Sequence, residues 1–366
     1  MTASWKLDRC REAIERLSEA RLRWDVLSGE LITHLRRAVG FDGWCASLSD
    51  PATGLPSTAI TEDSPVATCQ RRFWQLEYGC PDVGAHDLHA AGARRVAVLS
   101  SVTGGDLARS RRWDELLRPA GTADELRAAL TIGAMRWGSL TLYRATPRGW
   151  FSEDEEHLVH NLHGPLSTAA RKGWTAWPPS DAERDTKDAE PATVVATADG
   201  AFTGATPTAR DWIARLGPHP VAAYSLMYAL LARLAADTNR NPHQPSSASL
   251  LTRTSDGQWA ELHAAPLAST SGPGQHVVVS IGLARTARTM AVLVHAYALS
   301  GRERQVARLM LDGQRVAEIA AALHVSPYTV RDHLKAIFRK TRSHTRHQLA
   351  ARLGGYEPCP HMPSPG

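Results

Sequence analysis

Leu299-Ser-Gly-Arg-Glu-Arg-Gln-Val306, running on to Gln348-Leu-Ala-Ala-Arg-Leu353, reads as a series of short, well-bounded helices. Ser300 stands three residues before Glu303, so hydroxyl and carboxylate can each satisfy an orphan N–H of the first turn, a capping box. Val306, Leu309 and Met310 follow at helical spacing, and Gly313 can close the helix in a left-handed conformation. A second helix, expected over 316–323, places Val316, Ile319, Ala320 and Leu323 on one face. Next, Ser326 is set as an N-cap and Pro327 occupies the first helical position, where its missing N–H costs nothing. The third helix, expected over 327–340, turns Val330, Leu334 and Ile337 inward and leaves Arg331, Asp332, Lys335 and Arg339 on another face.

That outward ridge has the chemistry of a recognition helix. An Arg can pair bidentately with guanine O6 and N7, and a Lys can serve a base acceptor or a phosphate. A small helical bundle with a solvated charged face is the plainer interpretation. Capped helix, short turn, Pro-started helix and basic ridge occur here in order, which favours DNA. Charge location agrees. Residues 298–355 hold eleven Lys or Arg against four Asp or Glu, while the rest of the chain holds 31 against 33. The formal net charge of +5 therefore comes from this segment alone, as expected where counterion release from phosphates supplies affinity. A membrane-surface patch would want exposed Trp, Phe or Leu beside the basic residues, and the apolar residues here are used by the core.

In register and spacing, Leu299, Ser300, Arg302, Glu303, Val306, Gly313, Glu318, Ile319, Ala320, Leu323, Val325, Ser326, Thr329, Val330, His333, Leu334 and Ile337 closely resemble the C-terminal helix-turn-helix of LuxR-family transcriptional regulators. The resemblance implies that Arg331, Asp332 and Lys335 take base-reading positions and that Tyr328, Thr329, Arg339 and Lys340 contact phosphates. Asp332 is less usual there; a carboxylate could accept from a cytosine amino group or simply repel phosphate. After Lys340 the family commonly has Leu-Gly-Val, whereas this chain has Thr341-Arg-Ser343, which removes an apolar anchor beneath the last helix, expected over 345–353. In the family that helix often helps the DNA-binding domains pair.

The 366 residues leave room for two or three domains. Strand, turn and helix patterns predict an α+β multidomain chain. An N-terminal amphipathic helix is expected over 1–24. Over 25–173, a helix (27–39), a hairpin (44–48 and 56–61 about the turn 50–54), paired strands (126–132 and 137–144) and a capping box at Ser152 and Glu155 follow. This order, with Ser101-Val-Thr-Gly-Gly-Asp106, Ser110 and Asp124-Glu-Leu-Arg127, resembles a divergent GAF sensory domain, an α/β/α fold. After a linker over 174–193, residues 194–285 are similar to a degenerate PAS-like α+β fold, with an added helix at 221–235. A connecting helix over 286–297, the all-α helix-turn-helix domain over 298–355 and a disordered Pro-rich tail over 356–366 complete the expected organisation.

Cys10, Cys45, Cys69, Cys80 and Cys359 are odd in number and lack a C-x-x-C pair, which fits a reducing cytoplasm. No signal peptide or membrane span is legible. Five Lys among 42 basic residues is a high-GC skew of the actinobacterial kind. Trp44, Trp74, Tyr78, Trp113, Trp137 and Tyr143 could line a ligand pocket, though each is more readily explained as core. His86 and His89, near Cys80 and Asp82, have metal-like spacing without a second paired motif, and His157, His160 and His163 share a helix face without orienting carboxylates; no metal or cofactor is expected. No phosphate-cradling, dinucleotide or nucleophile-elbow motif appears, so no enzyme is expected. The expected partner is double-stranded DNA, bound as a homodimer at the nucleoid, with RNA polymerase and an unidentified small-molecule ligand of the sensory modules as further candidates. The alternative is a ligand- or partner-binding signalling scaffold that has lost specific DNA binding.

Overall fold

The computed structural model describes residues 3–20, 22–79, 82–83, 94–176, 190–217, 220–241, 246–267 and 276–355. They fall into two compact units, one ending at Leu283 and the other starting at Ala284.

The first unit holds two five-stranded antiparallel sheets. One is built from β1 (Gly43–Ser49), β2 (Pro56–Glu62), β3 (Val96–Val98), β4 (Thr122–Ile132) and β5 (Met135–Ala145), in the order β2-β1-β5-β4-β3. The other comprises β6 (Ala192–Thr197), β7 (Phe202–Ala205), β8 (Ala248–Arg253), β9 (Trp259–Pro266) and β10 (His276–Leu283), in the order β7-β6-β10-β9-β8. Counted within each sheet, the two orders are the same. Local chemistry makes the hairpins: Asp50 accepts the N–H groups of Ala52 and Gly54 while Gly54 adopts φ +72°, and Gly133 at φ +60° turns β4 into β5.

The first sheet buries both faces. Ala46, Leu48, Leu126, Ala128, Leu130, Leu140 and Leu142 form an apolar face under α2 (Trp24–Ala38) and α5 (Glu153–Gly173), with α1 (Ala3–Glu19) packed on those helices. α5 starts at the expected capping box, Ser152 Oγ accepting from Glu155 N. The helix expected over 1–24 is shorter: α1 stops at Glu19, and buried Trp24 opens α2, its indole donating to Ala46 O.

On the opposite face Cys45, Glu125, Arg127, Thr141 and Tyr143 lie beneath α3 (Gln70–Gly79), α4 (Leu99–Thr103) and a π-helical turn, Trp113–Leu117. Two guanidinium groups meet three carboxylates there. Arg112 bridges Asp82 (3.2 Å) and Glu125 (2.7 Å), and Arg127 bridges Glu77 (2.7 Å) and Glu125 (3.1 Å), all almost fully buried. Burial alone would raise the Glu125 pKa, but Arg112 and Arg127 overcome it and hold the carboxyl below its ordinary value. The Cys45 thiol, pushed mainly by burial, rises to about 11, and burial likewise lifts the Tyr143 phenol.

The second sheet buries one face throughout and the other only in part, at Leu251 and Trp259. Val194, Ala196, Ala248, Leu250, Ala260, Leu262, Ala264, Val279 and Ile281 pack on α6 (Ala209–Arg215) and α7 (Pro220–Arg240) through Trp212, Leu226, Met227, Leu230 and Leu234. On the other face His263 and Ser280 are exposed, the period-two alternation of a half-buried sheet. The two sheets meet along their edge strands. Leu251 N donates to Asp50 Oδ2 at 3.0 Å, Thr252 Oγ1 donates to Ser57 O, and Leu55 of the first sheet's hairpin sits in the second sheet's core. Side-chain bonds of this kind cover edges that would otherwise invite strand addition. Part of the expected linker over 174–193 belongs to this packing: Trp174 stacks on Trp259 at 5.5 Å, and Ala192 is buried in β6. Residues 177–189 and the expected tail over 356–366 lie outside the described residues.

The second unit contains α8 (Thr286–Ala296), α9 (Gly301–Leu311), α10 (Val316–Leu323), α11 (Pro327–Thr341) and α12 (Arg346–Gly354). α8 packs against α12, so the helix expected as a mere connector is part of this compact unit. Among the described residues, no helix is long and apolar enough to cross a membrane.

Candidate nucleic-acid interface

α9, α10 and α11 are bounded as their local chemistry dictates. Ser300 N donates to Glu303 Oε2 at 2.6 Å while Ser300 Oγ accepts from Glu303 N, and Arg315 N donates to Glu318 Oε2 at 2.7 Å. The sharp turn between α10 and α11 uses His324 at φ +53°, and Ser326 Oγ then accepts from Thr329 N at 3.1 Å ahead of Pro327.

Val306, Ala307, Met310, Ile319, Ala320, Val330 and Ile337 supply the buried core of these helices, with Leu349 and Leu353 from α12. Leu334, expected in that core, is only half-buried, and Thr341 is buried instead. At 100° per residue Thr341 falls between Val330 and Leu334 on the helical wheel, so it closes the inner face one turn beyond Ile337. Its hydroxyl donates to Ile337 O at 2.9 Å and lies 3.1 Å from the buried Ser343 hydroxyl. The loss of the apolar anchor is thus offset by a hydroxyl pair that satisfies itself, and α12 packs on α11 with Thr345 Oγ1 as its N-cap.

Tyr328, Arg331, Asp332, Lys335 and Arg339 occupy an arc of about 100° on the wheel, opposite Val330 and Ile337, and all five are exposed. Tyr328 is 68% exposed. Among the described residues the side chains of Arg331 and Arg339 have neither ion pair nor hydrogen bond, so both guanidinium groups retain their full donor sets. Lys335 Nζ lies 3.5 Å from Asp332 Oδ1. Thr329 is drawn aside, its hydroxyl 2.9 Å from Ser326 Oγ. Lys340, expected at phosphate, has an intramolecular role: it donates to Glu303 Oε2 at 2.6 Å and to Ala298 O at 3.0 Å, tying the end of α11 to the start of α9. Burial would raise the Glu303 pKa, but Lys340 and the Ser300 N–H hold the carboxyl below its ordinary value. Arg346 was not singled out from sequence; it fastens α12 to α9 through Leu311 O at 3.1 Å, a contact between residues 35 apart with no local signature.

The other candidate groups do not converge. His163 is buried with Nε2 2.9 Å from Ala129 O, whereas His157 and His160 are exposed. Asp82 is engaged by Ser110 and Arg112, and Cys80, His86 and His89 lie outside the described residues. No group of three His, Cys, Asp or Glu among the described residues could hold a metal ion. The aromatics disperse: Trp137 and Tyr143 fill core, Trp44 donates to Glu62, and Trp74 stacks on Tyr78 while donating to Ser225.

Residues 297–353 match the family model of the bacterial regulatory proteins, luxR family. A search of curated proteins gave no match. Among solved structures, the chain is similar to the Vibrio cholerae VqmA dimer without its target DNA (15% identity, TM-score 0.22, 46% of this chain and 83% of that one). It is similar also to a VqmA–ligand–DNA complex from the same organism (17%, 0.23, 47% and 87%). Escherichia coli SdiA matches over 96% of both chains at 12% identity and a TM-score of 0.32.

Proposed function

We propose, from a C-terminal domain of the LuxR type, that this chain is a sequence-specific transcription regulator whose α11 lies in the major groove of DNA. The observation that carries this reading is the outward arc of α11, where Arg331 and Arg339 stand unpartnered opposite the buried Val330 and Ile337. Arg331, Asp332 and Lys335 read base edges; Tyr328, Thr329 and Arg339 meet phosphates. Lys340 positions α11 against α9 through Glu303.

In the same reading the two sheets, with their shared strand order, are GAF-like and PAS-like sensory modules of the actinobacterial type that control the DNA-binding domain. The regulator is a cytoplasmic, non-enzymatic protein that binds DNA as a homodimer, on half-sites centred about 10 base pairs apart, and acts on RNA polymerase. Duplex selection with the full chain, followed by titration of the selected site across salt concentrations, tests it. Arg331→Ala should lose about 1–3 kcal/mol and relax one base position, while Arg339→Ala should weaken all sequences alike and reduce the salt slope by about one. If both variants bind like the parent, α11 does not lie in the groove.

A further inference from the structure

Four carboxylates lie within residues 298–355, and two have evident structural work. Glu303 closes the capping box of α9 and receives Lys340, and Glu318 accepts the N–H at the start of α10. Asp312 sits exposed where α9 ends. Asp332 is the one acid in α11, and nothing in the fold calls for it there. It lies in the second turn, beyond the N–H groups that Ser326 caps, where the helix dipole no longer favours a negative charge. Its partner Lys335 is 3.5 Å away, and the side chains are 47% and 78% exposed, an arrangement that stabilises a helix little. Asp is also a poor residue for a helix interior, and a carboxylate near the DNA backbone is repelled. Each of these costs falls on the face that carries Arg331, Lys335 and Arg339.

We propose that Asp332 determines specificity for a C·G base pair, its carboxylate accepting from the cytosine N4 amino group while Lys335 donates to O6 or N7 of the paired guanine. The inference rests on α11 lying in the major groove. There a C·G pair presents one amino donor beside two acceptors, and Asp332 with Lys335 presents an acceptor beside a cationic donor. A T·A pair fits less well. Its adenine amino group lies between N7 and the thymine O4 acceptor, so a carboxylate reaching that amino group also meets O4 lone pairs.

The test is selection from a random duplex pool by the full-length chain, its Asp332→Ala variant and its Asp332→Asn variant; both substitutions alter an exposed side chain outside the core. The parent should fix C·G at one position. Asp332→Ala should keep the rest of the motif, lose discrimination of about 5- to 100-fold at that position, and bind unrelated duplexes more tightly. Asp332→Asn, which offers an acceptor and a donor together, should move the preference toward adenine. An unchanged motif for Asp332→Ala, with tighter binding to every sequence, would show that the carboxylate only repels phosphate, and the inference would fall while the placement of α11 stood. No motif for the parent itself would overturn that placement, and the inference with it.

Discussion

β4 and β9 hold the same place in their sheets, one strand in from the edge, and carry different side chains. In β4, Leu126, Ala128 and Leu130 point to the helical layer and Glu125 and Arg127 to the other side, all of them buried. In β9, Ala260, Leu262 and Ala264 are buried, whereas Glu261 is half-buried and His263 exposed. The apolar face is common to both and, with the hairpins, suffices for the strand order. What differs is the second face. Where α3 and the turn at Trp113–Leu117 cover it, each charge must find its counter-charge inside the protein; where it is open, as at His263 and Ser280, the side chains meet water.

The largest expected effect follows from breaking the covered network. Arg127→Leu leaves Glu77 and Glu125 buried without that cation and should cost about 3–5 kcal/mol of stability, read from urea denaturation followed by tryptophan fluorescence. A cost below 1 kcal/mol would mean that these charges are not held in a dry interior.

Acid should then separate the two sheets. Because Glu125 is held below its ordinary carboxyl value of 4.5, the folded state binds fewer protons than the unfolded chain in that range. Its contribution is full above the unfolded value and is lost as pH falls through the folded one. Asp124 has the opposite sign, since burial lifts its carboxyl above the ordinary value even though Ser100 and the Phe151 and Glu125 N–H groups bond it. Comparing the parent with Glu125→Gln isolates the first term. Amide hydrogen exchange, corrected for its intrinsic pH dependence, should show β4 losing protection before β9 between about pH 5 and 3 in the parent. The difference between pH 5 and 3 should shrink in the variant, and equal losses in both proteins would remove Glu125 as the cause.

The second sheet's apolar face should respond mildly to a small cavity. Ile281→Val removes one buried methylene beneath β10 and should cost about 0.5–1.5 kcal/mol in the same urea assay. A cost near that of Arg127→Leu would show that the two cores are equally intolerant and that the ionic face is not special.

Local signals explain what could be read ahead. The caps at Ser152, Ser300 and Ser326, the turn glycines Gly54 and Gly133, and the alternation along β4, β5, β9 and β10 are contained within a few residues, and the elements follow them closely. The outward arc of α11 was equally legible, because helical periodicity alone separates Arg331 from Val330. Long-range partners were not. The pair between Lys340 and Glu303 joins residues 37 apart, which no local pattern announces. The short edge strands β3 and β7 carry too few residues for an alternation to register. Nothing near Glu125 and Arg127 in sequence announces that α3 and Arg112 will cover them.

The smallest expected effect lies on the open face of the second sheet. Thr193, Ser280, His263 and Ser249 stand in register across β6, β10, β9 and β8, a row of small or polar side chains with Ser280 and His263 exposed. Neither Ser280→Thr nor His263→Thr adds a charge or removes apolar packing, and both suit a solvated strand. Each should stay within about 0.5 kcal/mol of the parent. A loss of several kcal/mol at His263 would mean that this face is covered in the folded protein in solution. The two sheets would then differ in what covers them and no longer in how far they are covered.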